Sequence, residues 1–251
     1  MLAVISPAKK MDFEPITGIA DSTPDFLADA NKLATQARKL SVSDLRAMMK
    51  ISEDLATLNR ERFQAFSEAP DDRVTKQAAF AFAGDTYTGL QANSLSSDDL
   101  DYAQDHLRIL SGLYGVLRPL DRIQPYRLEM GRKLATKSGN TLYAFWDDRI
   151  GAALDDVSDG VIVNLASSEY FKAAGKKMNS RVITPAFKEE REDGLKMIGL
   201  FAKKARGAMA RFIVQNRVET VDGLKDFNTD GYGFRPELSG ENDWVFSRVT
   251  P

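Results

Sequence analysis

The stretch VIVNLASSEYFKAA, Val161–Ala174, changes character in its middle. Val161–Leu165 is a short unbroken apolar run, the pattern of a buried strand. Ser167 then serves as an N-cap, and SSEYFKAA reads as the start of a helix with Glu169 in its first turn. A strand running directly into a helix aims backbone N–H groups and polar side chains at a crevice. Asn164, Ser167 and Glu169 are therefore candidate functional residues. The plainer alternative is that Ser167 and Glu169 only complete the helix terminus.

The same reading extends along the chain. Leu2–Ser6 is a strand, followed by the loop PAKKMDFEP. Thr23 and Pro24 open a helix to about Leu40, Ser43 caps one to Lys50, and Ser52 caps one through Phe66. AAFAFAGDTYTGL reads as strand and loop. Ser97 with Asp98 and Asp99 begins a helix whose stripe is Leu100, Ala103, Leu107 and Leu110. A helix over 142–154 follows, then a hairpin pairing 181–189 with 195–202 around Glu192-Asp193-Gly194. A helix from about Lys203 to Arg217 and a strand over Trp244–Arg248 complete the chain. No repeat or flexible linker divides it. The expectation is one domain over 1–251, α+β, with α/β carrying an antiparallel element as the alternative.

Composition narrows the chemistry. The 251 residues are 43% hydrophobic and 28% charged, ordinary for a globular protein. No apolar run approaches the ~18 residues that span a bilayer, so no membrane partner is expected. MLAVISPAKK reads as a strand and not as a secretion signal. With no cysteine and one histidine, thiolate chemistry and multi-histidine metal sites are out of reach. We expect no metal, no cofactor, a cytoplasmic location and a monomer.

The net charge of −2 conceals a segregation. Residues 1–110 carry 12 basic and 17 acidic side chains, 111–217 carry 19 and 12, and the tail 3 and 7. Such a block suggests a local anionic partner unless folding intermixes the charges. Within it, Gly194–Val218 holds no acid and six basic residues, Lys196, Lys203, Lys204, Arg206, Arg211 and Arg217. On a helix, Ala205, Ala208, Met209, Phe212 and Ile213 share a broad apolar face, opposite a strip of Gly207, Ala210 and Val214. That strip is either the floor of a basic groove or the seat of a second element. Lys203 and Lys204 would sit at the helix N-terminus, where N–H groups add to an anion site.

HLRILSGLYGVLRPLDRIQPYRLEMG, His106–Gly131, opens the positive block. Two helices joined by Gly112-Leu113-Tyr114-Gly115 would present N–H groups to a phosphate, as a helix-hairpin-helix does. That motif has one residue between its glycines, and here there are two. His106 reads as a hydrogen-bonded residue at the core edge. Lys9, Asp85 and Tyr87, near expected strand ends, join Asn164, Ser167 and Glu169 as a set able to support acid–base chemistry without histidine.

In motif order the chain resembles the bacterial peroxide stress resistance protein YaaA family over essentially its full length. The carrying segments are SPAK (Ser6–Lys9), GDTYTGL (Gly84–Leu90), His106–Gly131, LYAFW (Leu142–Trp146), NLASSEYF (Asn164–Phe171) and KKARGAMARF (Lys203–Phe212). The resemblance implies an uncommon α+β fold with a basic cleft and a helix-hairpin-helix-like segment over 97–125. It implies a cytoplasmic DNA-binding protein that limits damage from peroxide and free iron. Gly112, Gly115, Arg118, Arg122, Lys203, Lys204, Arg206 and Arg211 would then contact DNA. The alternative is an enzyme acting on a nucleobase, nucleotide or other small anionic, phosphate-bearing ligand beside that cleft.

Overall fold

A computed structural model describes residues 1–175 and 177–249. Among them the strands are β1 (Leu2–Ile5), β2 (Lys76–Gln77), β3 (Leu107–Ser111), β4 (Gly115–Leu117), β5 (Arg122–Ile123), β6 (Val161–Leu165), β7 (Arg181–Arg191), β8 (Gly194–Lys196), β9 (Gly233–Phe234) and β10 (Asp243–Val249). The helices are α1 (Leu27–Ala37), α2 (Val42–Met49), α3 (Glu53–Ala65), α4 (Ala78–Ala81), α5 (Asp85–Leu90), α6 (Ser97–His106), α7 (Leu142–Trp146), α8 (Arg149–Asp155), α9 (Ser168–Phe171) and α10 (Gly199–Gln215). None is long and apolar enough to cross a membrane.

The main sheet runs β4-β3-β1-β6-β7-β10-β9, with β8 on the far part of β7. Pairs from β3 through β10 are parallel, and the β4, β8 and β9 pairings are antiparallel. The architecture is α+β on a mixed sheet. β1 is wholly buried and β6 nearly so, because both lie in the middle with neighbours on either edge and layers on either face. Each fully buried Leu, Val or Ile there contributes roughly 1.5–3 kcal/mol. Since β1 leads to partners on both its sides, its C-terminal end adjoins the reversal of strand order, the place where open parallel sheets leave a crevice.

α10 lies across this sheet, packed against β1, β6 and β7, while α5 packs on its outer side. Of the small-residue strip, all of it buried, Gly207 meets α5 directly. A Cβ at Gly207 would stand 1.7 Å from the Thr86 carbonyl oxygen, and one at Gly89 2.0 Å from that of Lys204. The two glycines therefore set the spacing of the helices.

Several elements differ from the sequence reading. Ala78–Ala81 and Asp85–Leu90 are helices; the first is one wholly buried turn and the second has six residues, too few for a periodicity that separates helix from strand. The expected helix over 142–154 breaks at Asp147, whose φ is 48°. α6 ends at His106, so Leu107 and Leu110 belong to β3. α10 begins at Gly199, which moves Lys203 and Lys204 into its second turn, away from the free N–H groups of the terminus. The expected hairpin return is correspondingly short, Gly194–Lys196.

The largest correction concerns Gly112–Gly115. The turn joins antiparallel β3 and β4, so this part of 97–125 is a β-hairpin and not a pair of helices. Gly115 has φ 70°, and a Cβ on Gly112 would lie 2.2 Å from the Leu128 carbonyl oxygen. Both glycines answer to local packing.

Gly207→Ala and Gly89→Ala should each lower stability by about 1–3 kcal/mol or more, because backbone cannot rotate away from an added methyl. The double variant should lose less than the sum. Thermal melting checks both; unchanged midpoints would show that the helices separate without penalty.

Candidate functional site

β1 and β6 run side by side, Ile5 opposite Leu165, and release their chains at the same level. Ser6 follows one and Ser167 the other. The Ser167 N–H donates to Ser6 Oγ at 2.9 Å, and the two hydroxyls lie 3.3 Å apart. Tyr87, buried on α5, donates its hydroxyl to the Ser6 carbonyl oxygen at 3.1 Å. Burial pushes the Tyr87 pKa well up, so it stays a neutral donor. These bonds tie the two strand ends and α5 into one rigid rim.

Above the rim is a cavity of about 410 Å³. Its lining includes Lys9, Lys10, Asp85, Ser167 and Glu169, with Lys203 and Arg206 entering from α10. The order of elements explains the meeting: α5 starts at Asp85, and its contact with α10 brings Lys203 within 3.9 Å of that carboxylate. Glu169 Oε1 accepts the Gly131 N–H at 2.9 Å. Lys9 is mostly exposed and lies 3.6 Å from Glu129.

Arg206 stands apart from its neighbours. It is half-buried, and burial alone lowers its pKa, with no acid offsetting that effect. Among the described residues no hydrogen bond or ion pair engages its guanidinium. Desolvating a cation without an anion is unfavourable, and such a group suits a carboxylate or phosphate arriving from outside.

The other predicted residues lie elsewhere. Asn164 is beneath the rim, its Oδ1 accepting the Ala166 N–H at 3.1 Å, and is not in the lining. Lys204 pairs with Asp230 at 2.9 Å and Arg211 donates to the Leu90 and Gln91 carbonyls at 3.1 and 3.0 Å. Both line a separate cleft of about 240 Å³. Gly112 and Gly115 are buried, and the Leu113 and Tyr114 N–H groups turn inward to Ser111 Oγ. Arg118 is bound to Asp121 and the Thr23 carbonyl, and Arg122 to Asp21, Thr75 and the Asp72 carbonyl. His106 stacks on Tyr102 at 4.0 Å and bonds the Met1 carbonyl at 3.2 Å.

One lining residue escaped the sequence reading. Glu129 is 3% exposed, and its Oε1 receives Arg127 at 3.3 Å and Arg132 at 3.2 Å. Burial pushes its pKa up, but the Arg132 hydrogen bond and the charges of Arg127 and Arg132 prevail and hold it below the ordinary carboxylate value. The only sequence signal was one acid among arginines in YRLEMGR. A larger groove of about 1040 Å³ lies beside α1 and α7, but its Asp29 is matched by both Arg149 and Lys32, and its other charged residues, Glu68, Lys137 and Asp147, are exposed. The smaller cavity, with its unmatched cation, is the stronger candidate.

Residues 1–238 match the family described as peroxide stress protein YaaA. The chain belongs to that family. Proteins named UPF0246 resemble this YaaA-family chain over its whole length. The one from Dinoroseobacter shibae is 56% identical, covering 100% of this chain and 96% of the relative. Those from Alteromonas mediterranea and Caulobacter vibrioides are 54% and 52% identical, covering 99% and 100% of this chain and 98% and 100% of the relatives.

Glu129→Gln should destabilise the fold at neutral pH by roughly 1–3 kcal/mol, since two partly buried guanidinium groups lose their charged acceptor. The depressed pKa makes this contribution fully present above the unfolded value of about 4.3, and it disappears as pH falls through the lower folded pKa. Denaturant midpoints of both proteins from pH 7 down to pH 3 should converge at the acid end.

Proposed function

We propose that this YaaA-family protein serves the response to peroxide as a cytoplasmic DNA-binding protein, holding a strand through its phosphates at the cavity above β1 and β6. The observation that carries the reading is Arg206, a half-buried cation on the cavity with no acid to offset it. Lys9, Lys10 and Lys203 surround the same opening and would add long-range attraction. The contact surface is thus the Lys9–Lys203–Arg206 rim, in place of the Gly112–Gly115 turn with Arg118 and Arg122. Any effect on free iron is read as indirect, because one histidine and no cysteine make a poor iron store.

A second reading is favoured by a specific feature. Ser6, Ser167, Asp85, Glu129 and Glu169 line the cavity together with the cations, a set larger than phosphate holding alone requires. In that reading the protein acts on a nucleotide or nucleobase, with a carboxylate as the acid–base group.

Four phosphate contacts give a log–log salt slope of about −3.6 for duplex DNA. Arg206→Ala and Lys203→Ala should each weaken binding and reduce the slope by about 1, whereas Arg122→Ala should change it little. Affinity titrations across salt decide this, and a flat salt response overturns it. Mass spectrometry of nucleotides incubated with the protein tests the second reading, which fails if no product forms.

A further inference from the structure

Two opposite charges border one cavity without meeting. Arg206 and Glu169 both line the space of about 410 Å³, yet no ion pair joins them. Among the described residues no cation pairs with Glu169, although the residue is exposed. A carboxylate on a free side chain would turn toward the cations beside it. Its anchorage prevents that. Glu169 Oε1 accepts the Gly131 N–H at 2.9 Å, and the Tyr143 hydroxyl donates to the Glu169 carbonyl oxygen at 2.9 Å. A Cβ on Gly131 would stand 3.0 Å from Oε1 and 3.4 Å from Cδ, so the carboxylate rests directly on the glycine.

Completion of a helix terminus, the plainer role open to these residues, is not the one they fill. Ser167 is the N-cap of α9, but its side chain makes no cap hydrogen bond. Glu169 reaches past its own helix to a residue 38 positions away. The other acids of the cavity are committed, Asp85 to Lys203 at 3.9 Å and the buried Glu129 to Arg127 and Arg132. Glu169 is the acid that is both held in place and open to the cavity. Lys9, Lys10, Lys203 and Arg206 surround the same opening, so a further cation would be repelled and a neutral N–H or O–H donor suits Glu169 best. The volume lies in the range of small-molecule sites, roughly 300–1,000 Å³, and leaves room for an organic part beside a phosphate.

Building on the reading of this cavity as a phosphate site, we infer that it takes a phosphate ester whose organic part donates a neutral N–H or O–H to Glu169. Arg206 and Lys203 hold the phosphate, and Glu169 distinguishes the ester from phosphate itself. Gly131 is the positioning residue that keeps the two poles apart. Nucleotides and sugar phosphates share this chemistry, the donor being a base N–H in one and a sugar hydroxyl in the other.

Calorimetric titration of the full chain with inorganic phosphate, ribose 5-phosphate and nucleoside 5′-monophosphates tests this. At least one ester should bind about tenfold or more tighter than phosphate, the worth of one charged hydrogen bond. Glu169→Gln should erase that margin while binding inorganic phosphate no more weakly, since it removes a negative charge. Gly131→Ala changes no charge but unseats the carboxylate, and should erase the margin as well. Both positions are exposed, so neither change disturbs the core. A margin for ribose 5-phosphate assigns the sugar hydroxyls; a margin for nucleotides alone assigns the base. Esters binding no tighter than phosphate, or a margin that survives in Glu169→Gln, overturns the inference and leaves the phosphate site standing. A margin that survives in Gly131→Ala overturns the positioning role. If phosphate and esters all fail to bind, or Arg206→Ala binds phosphate as well as the parent, the phosphate site falls and the inference with it.

Discussion

The closeness of α5 and α10 governs the rest of the site. Their backbones meet where Gly89 and Gly207 leave no room for a single carbon atom. Because the helices touch there, Asp85 and Thr86 sit at the cavity edge opposite Lys203 and Arg206, and Tyr87 reaches the end of β1. The same contact places Arg211 beneath the C-terminal carbonyls of α5, where a cation complements the helix dipole. Widening the gap would therefore displace groups from three separate stretches of sequence at once.

Charge that is segregated along the chain is partly recombined in space. Arg118 and Arg122, from the positive block, meet Asp21, Asp25 and Asp72 from the negative one. Arg127 and Arg132 converge on Glu129, and Arg217 on Asp99. Most of these contacts hold loops to the body of the fold. Lys9, Lys10, Lys203 and Arg206 meet at one opening against Asp85, Glu129 and Glu169, and a local surplus of this kind can steer an anion even on a protein of net charge −2.

The central strands were legible because an unbroken apolar run has few uses other than a buried strand, and Val161–Leu165 is β6 to the residue. Helix caps were legible in part: the Ser52 side chain accepts from its own first turn as its position suggests, whereas Ser41 and not Ser43 caps α2, and α1 starts after Phe26 and not at Thr23. GDTYTGL was not, since a helix of six residues is too short for its period to show against the alternation of a strand. Nor was the hairpin at Gly112, where two glycines two residues apart fit a turn between helices as well as between strands. The polar candidates Lys9, Asp85, Ser167 and Glu169 do share a cavity, because strand ends and helix starts share one side of a parallel sheet. Glu129 was hidden, since nothing local separates an acid that neutralises its arginine neighbours from one that also lines a cavity.

The position of β1 has a consequence for how the chain reaches this state. Its neighbours are β3 and β6, with Ile5 paired to Ile109 and to Leu165, so the middle of the sheet cannot close until distant segments have come together. Topologies of this kind fold slowly, since the entropy of closing long loops is lost before the contacts that compensate it are made. Until then LAVI is an uncovered apolar strand with both edges open, the form most prone to pair with another chain. The fold thus carries its aggregation hazard at the centre of its sheet, and only the arrival of β3 and β6 on either side removes it.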